Sequence, residues 1–196
     1  MPSYQNTKVT YYKIGEEYHE ALIDSLKSAK EYIFMEYFII EEGKMWNSIH
    51  EILKEKVKYG VKVYVTYDDF GCITTLDENY YKQLNKESIK CIPSNKFTAV
   101  MSNIHNNRDH RKITIVDGKV GFTSGINIAD EYINVKVKHG HWKDTGIKLE
   151  GNAVKSLTAL FLETMNNSEL ITEKATKLKG WKKLLAESMK DFSPLF

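Results

Sequence analysis

Apolar positions along the first part of the chain recur alternately at helical and at strand spacing. Over residues 16–29, Tyr18, Leu22, Leu26 and Ala29 share one helical face, and the apolar run 32–40, broken by Glu36, reads as a buried strand. Residues 45–59 repeat the helical spacing with Ile49, Ile52, Leu53 and Val57 near one stripe. Gly60 is placed to end that helix, and 61–67 is the next strand. Strand, helix and strand in this order form a crossover, which points to parallel strands covered by helices. A third helix is expected over about 76–84 and a short strand over 89–92. Periodicity then lapses from 93 to 107, where Ser, Asn and Thr gather, as in a long loop of the functional kind.

Two strands are expected next, 110–116 and 119–123, joined by Asp117-Gly118, a strong two-residue hairpin signal. Small and polar residues follow: Thr123, Ser124, Gly125 and Asn127. A strand over 145–149 and a helix over 153–166 complete the pattern. The expected fold is therefore one α/β domain over residues 1–166, with helices on a mostly parallel or mixed sheet. Residues 167–196 differ. Lys174, Lys177, Lys179, Lys182 and Lys183 accumulate there, while Trp181, Leu184, Leu185 and Met189 share a helical face. This is expected to be a lysine-rich helix or linker, either packed in the ordinary way or resting on anionic lipid.

Composition narrows the class. Among 196 residues 42% are hydrophobic and 28% charged, which excludes disordered and collagenous classes. The longest apolar run, nine residues, is far short of the ~20 that cross a bilayer. The N-terminal residues lack the basic and then apolar segments of a secretory signal, so the chain is expected to stay in the cytosol. Cys72 and Cys91 have no CxxC spacing and read as unpaired thiols. A net charge of +2 argues against nucleic acid as a partner. Its distribution is more telling: against 26 Lys there are two Arg, and both, Arg108 and Arg111, fall in NNRDHRK. A planar guanidinium kept for one segment suits phosphate or carboxylate recognition.

That segment opens HRKITIVD, of the form HxKxxxxD. Residues two apart in a strand share a face, so His110, Lys112 and Thr114 point one way and Arg111, Ile113 and Ile115 the other. An imidazole can attack phosphorus or protonate a leaving oxygen, while an ammonium neutralises charge growing on the non-bridging oxygens. Arg108 and Asn127 are candidate donors to the same pocket. Asp117 would fix the imidazole tautomer if the fold, or a symmetry mate, brings it within reach. From six His, 26 Lys and nine Asp, roughly 0.04 matches to this pattern are expected by chance.

The stretch HRKITIVDGKVGFTSGIN resembles the signature of the phospholipase D superfamily, in which HxKxxxxD is followed by GG or GS and then x-N. YIFMEYFII, GVKVYVTYDDFG, INIADEYIN, HWKDT and GNAVKSLTALFLE are similar to bacterial cardiolipin synthases within it, over about residues 10–166. Here Ser124-Gly125 stands where the family has GG or GS. The resemblance implies an αβα sandwich and a two-step transfer without a metal or other cofactor. His110 would be one of two catalytic histidines, Lys112 and Asn127 would bind phosphate oxygens together with Arg108 and Ser124, and Asp117 would orient an imidazole. The implied substrate is phosphatidylglycerol, at the cytoplasmic side of the cell membrane. Cardiolipin synthases carry two such motifs and this sequence has one, so the implied partner is a second HxKxxxxD domain, in the same chain or in a homodimer mate. A phospholipase D-like nuclease acting as a homodimer and a non-catalytic lipid-binding half-domain are the alternatives.

Other residues admit bland readings. His139 and His141 form an HxH without a carboxylate or Cys cluster at ligand spacing, so zinc is disfavoured. Glu36 is either a pocket residue or an edge position. Asp68-Asp69 sits at a strand end, where ligands gather but helix caps are commoner. Trp142 and Asp144 belong to a site rim or to a turn.

Overall fold

The computed structural model describes residues 4–95, 108–138 and 140–172. Strands β1 (Thr7–Tyr12), β2 (Tyr32–Tyr37), β3 (Lys62–Tyr67), β4 (Lys90–Cys91), β5 (Ile113–Val116), β6 (Val120–Ser124) and β7 (Gly146–Gly151) form one sheet in the order β1-β7-β6-β5-β2-β3-β4. Helices α1 (Gly15–Ser28), α2 (Lys44–Lys58), α3 (Tyr80–Lys86) and α4 (Val154–Thr172) and a short 3-10 helix, Asp130–Ile133, complete it.

The sheet is mixed, and each ladder follows from its connection. The crossover helices α2 and α3 make β2, β3 and β4 parallel, whereas β1-β7, β7-β6, β6-β5 and β5-β2 are antiparallel. Asp117-Gly118 forms the expected hairpin turn, with φ +52° and +63°, both in the left-handed region. Alternation along β2 builds both layers. Ile33, Met35 and Tyr37 pack toward α1 and α2, with Tyr18, Leu22, Trp46 and Leu53. Phe34 packs the other way and stacks on Phe161 of α4 at 4.7 Å between ring centroids. Burying a side chain of that kind contributes about 2 kcal/mol.

Several boundaries differ from expectation. The run 32–40 is a strand only to Tyr37; beyond it Ile40 forms an isolated bridge with Ile128. Helix α3 starts at Tyr80 rather than near 76, because turns built on Asp68 and Cys72 occupy the preceding segment. Helix α4 runs past 166 to Thr172. The edge strand β1 was not anticipated. Val9 and Tyr11 are exposed there, so no alternating core pattern marks it. The lysine-rich tail from 173 onward, most of the 93–107 loop and His139 lie outside the described residues. No helix among the described residues is long and apolar enough to cross a membrane.

Candidate active site

His110, Arg111 and Lys112 precede β5, at the end of the sheet where β2 stops. The lead-in keeps the alternation of a strand: Lys112 Nζ lies 2.9 Å from His110 Nδ1 and donates to the His110 carbonyl at 2.6 Å. The two groups differ sharply in solvation. Lys112 is 1% exposed, whereas the His110 side of the pair is open. Burial pushes the Lys112 ammonium down to about 8, against the opposing charges of Asp144 and Asp109. The His110 imidazole is lowered by partial burial and then by the Lys112 charge, which favours the neutral ring. With the ammonium donating to Nδ1, a neutral ring carries its proton on Nε2. Nε2 has no hydrogen-bond partner among the described residues. Beneath both groups lies Phe38, whose ring centroid is 4.6 Å from that of His110 and 5.3 Å from Lys112 Nζ.

Asn127 and Ser124 reach the same corner from the end of β6. Asn127 is 2% exposed; its Oδ1 accepts the Ile39 N–H at 2.9 Å and its Nδ2 donates to the Tyr132 hydroxyl at 2.8 Å. It therefore ties the loop after β6 to the segment that carries Phe38. Ser124 Oγ accepts the Ile126 N–H at 3.1 Å and shapes the small-residue turn. Gly125 packs against the Asp144 carboxylate: a Cβ there would stand 2.4 Å from Oδ1 and push that side chain aside. Asp144, read from sequence as rim or turn, lies close enough for its charge to act on Lys112.

Two expected roles change. Asp117 does not orient His110 within the chain, because it stands at the opposite end of β5. Its carboxylate instead accepts the N–H groups of Lys30, Glu31 and Tyr32 at 2.9, 2.8 and 2.9 Å. Arg108 is not a free phosphate donor. Its guanidinium is 3.4 Å from the buried Asp68 carboxylate, donates to the Asn95 carbonyl at 3.1 Å, and stacks 4.7 Å from the Phe70 ring centroid. Asp68 also accepts from Gly71 N–H and Asn95 Nδ2, so it clamps a loop rather than capping a helix.

On the α4 face Arg111 is paired with Asp109 and donates to Thr164 Oγ1 at 2.8 Å. Glu36, buried in β2, lies 3.5 Å from the same guanidinium and accepts from Thr164 at 3.3 Å. Burial first and Asp109 second raise its carboxyl to about 8, with Arg111 opposing. Glu36 is thus a central buried residue, not an edge position. A polar cavity of about 480 Å³ adjoins this cluster, lined by Arg108, Asp109, Arg111 and Thr164 among others. Among the described residues no group of three or more His, Cys, Asp or Glu could hold a metal; His141 is 3.5 Å from Glu16.

Residues 22–140 match the family described as "Cardiolipin synthase, PLD-like domain". A Streptococcus mutans protein described as uncharacterized is 48% identical over 163 residues, covering 83% of this chain and 35% of that protein. Cardiolipin synthase 2 of Bacillus anthracis is 41% identical over 151 residues, 76% of this chain and 29% of that enzyme. The chain thus spans about a third of the length of these relatives. NucT from Helicobacter pylori has the same fold, with a TM-score of 0.63 at 14% identity over 82% of this chain and 97% of that one. Phosphatidylserine synthase from Haemophilus influenzae gives 0.59 at 13% identity over 95% of this chain and 43% of that chain. By its sequence, the chain belongs to the cardiolipin synthase PLD-like domain family.

Proposed function

We propose that the chain is one catalytic half of a phosphatidyltransferase that converts two phosphatidylglycerols into cardiolipin and glycerol. The observation that carries the reading is the imidazole and ammonium held 2.9 Å apart at the open end of the sheet. Lys112 supplies a buried positive charge for the phosphate oxygens, and His110 presents Nε2 outward. Asn127 and the Ser124 turn border the same position, Arg108 lies at its edge, and Asp117 acts by fastening the hairpin.

The second imidazole comes from another HxKxxxxD domain, in the same polypeptide or in a second copy. One histidine bonds phosphorus as the P–O bond to the glycerol headgroup breaks, and the other passes its proton to the departing alkoxide. The acceptor hydroxyl then gives its proton to that second ring and attacks phosphorus, breaking the P–N bond. His110 suits either part. As it stands, neutral with its proton on Nε2, the ring must gain a second proton at Nδ1 before it can serve as the acid, or lose the Nε2 proton before it can attack phosphorus. The substrate places the work at the cytoplasmic membrane surface.

The test is incubation with phosphatidylglycerol vesicles and, separately, with plasmid DNA, using the chain alone and joined to a second HxKxxxxD domain. Cardiolipin formation that His110→Ala abolishes is the expected result. Nicking of DNA without lipid product would replace the reading with a nuclease, and neither product would leave a binding module.

A further inference from the structure

Phe38 lies against both candidate groups, and its backbone is fixed on several sides. The neighbouring Ile39 N–H is held by Asn127, the Phe38 carbonyl accepts from Cys72 Sγ at 3.6 Å, and the Ile40 N–H donates to the same sulfur at 3.2 Å. Gly71 packs so closely that a Cβ there would lie 2.3 Å from the Phe38 carbonyl oxygen. The backbone that carries the ring is therefore held in place.

We propose that Phe38 is a positioning residue of the anion cradle: its face keeps the buried Lys112 charged and holds the His110 ring against the ammonium. This rests on reading the His110–Lys112 corner as the phosphate site. The physical reason is specific to an aromatic. Any apolar side chain of this size strips water from the ammonium, which disfavours its charge; a ring face also attracts it through the quadrupole. The ammonium is 5.3 Å from the centroid, within the range where that attraction operates. Leucine in the same place keeps the desolvation and loses the attraction.

The test is an NMR titration of Lys112 Nζ and the His110 ring in the wild-type chain and in Phe38→Leu, Phe38→Tyr and Phe38→Trp. Phe38→Leu should lower the Lys112 midpoint by about half a pH unit or more and broaden the His110 ring signals. Phe38→Tyr should preserve both, and Phe38→Trp, with the stronger face, should raise the midpoint. In the assembled enzyme, cardiolipin formation at pH 7.5 should fall about tenfold in Phe38→Leu and recover in Phe38→Tyr. An unmoved Lys112 midpoint in folded Phe38→Leu overturns the proposal. If that variant does not fold, identical midpoints for Phe, Tyr and Trp overturn it instead. The titrations need no lipid, so displaced midpoints without any lipid turnover would count against the transferase reading and still support the role of Phe38.

Discussion

The carboxylate of Asp117 holds the backbone N–H of Tyr32 at 2.9 Å, fastening the hairpin turn to the first residue of β2. The N–H groups of Lys30 and Glu31 join it, so one side chain satisfies three donors at the end of the sheet remote from His110. Asp117→Ala removes an ionised acceptor and should cost about 2–3 kcal/mol of stability, read as a lower denaturant midpoint. Turnover per folded molecule in the assembled enzyme should be nearly unchanged. A loss of turnover with unchanged stability would assign Asp117 to the chemistry instead.

Lys112 couples function to stability with opposite signs. Its ammonium is charged below about 8 and loses its proton above, so cardiolipin formation should decline as pH rises through that value. Burying the charge costs stability at neutral pH. That cost is fully present below the folded midpoint and fades between about 8 and the ordinary value of 10.5. Lys112→Met should therefore abolish turnover while raising stability at pH 7 by about 1 kcal/mol. A variant less stable than wild type would contradict the buried-charge account.

Glu36 titrates in the other sense. Its carboxyl is raised to about 8, so its contribution to stability is full below the unfolded value of 4.5 and is lost as pH rises to 8. Thermal melts from pH 5 to 9 should show wild type losing stability across this window and Glu36→Gln losing much less. Parallel curves for the two proteins would remove Glu36 as the titrating group.

Asn127 ties two loops together with both ends of its amide. Asn127→Ala strands the Ile39 N–H and should cost about 1–3 kcal/mol. By freeing the segment that carries Phe38, it should also broaden the His110 ring signals. Asn127→Asp keeps the acceptor for Ile39 and should recover part of the stability. Equal stability losses in the two variants would show that the Ile39 contact does not matter.

Much of the fold was legible because local signals and tertiary packing agree. The period of Tyr18, Leu22 and Leu26, the crossover into β3 and the Asp117-Gly118 turn all point the same way as the final sheet. The edge strand β1 was illegible because Val9 and Tyr11 face outward, leaving no alternation to read. At the site, HxK spacing anticipated the convergence of His110 and Lys112, since it depends only on residues two apart. Phe38 was hidden because its place under both groups depends on where β2 stops and on Gly71, Cys72 and Asn127, all distant in sequence. Arg108 and Asp117 misled for the same reason: their partners, Asp68 and the N–H groups of 30–32, lie 40 and more than 80 residues away.

The His110 imidazole midpoint, followed by NMR in wild type and Lys112→Met with and without inorganic phosphate, tests the shared anion cradle most directly. A midpoint below the ordinary histidine value is expected in wild type, rising when the ammonium is removed and rising when phosphate binds to wild type. One titration curve common to all four conditions would contradict the account.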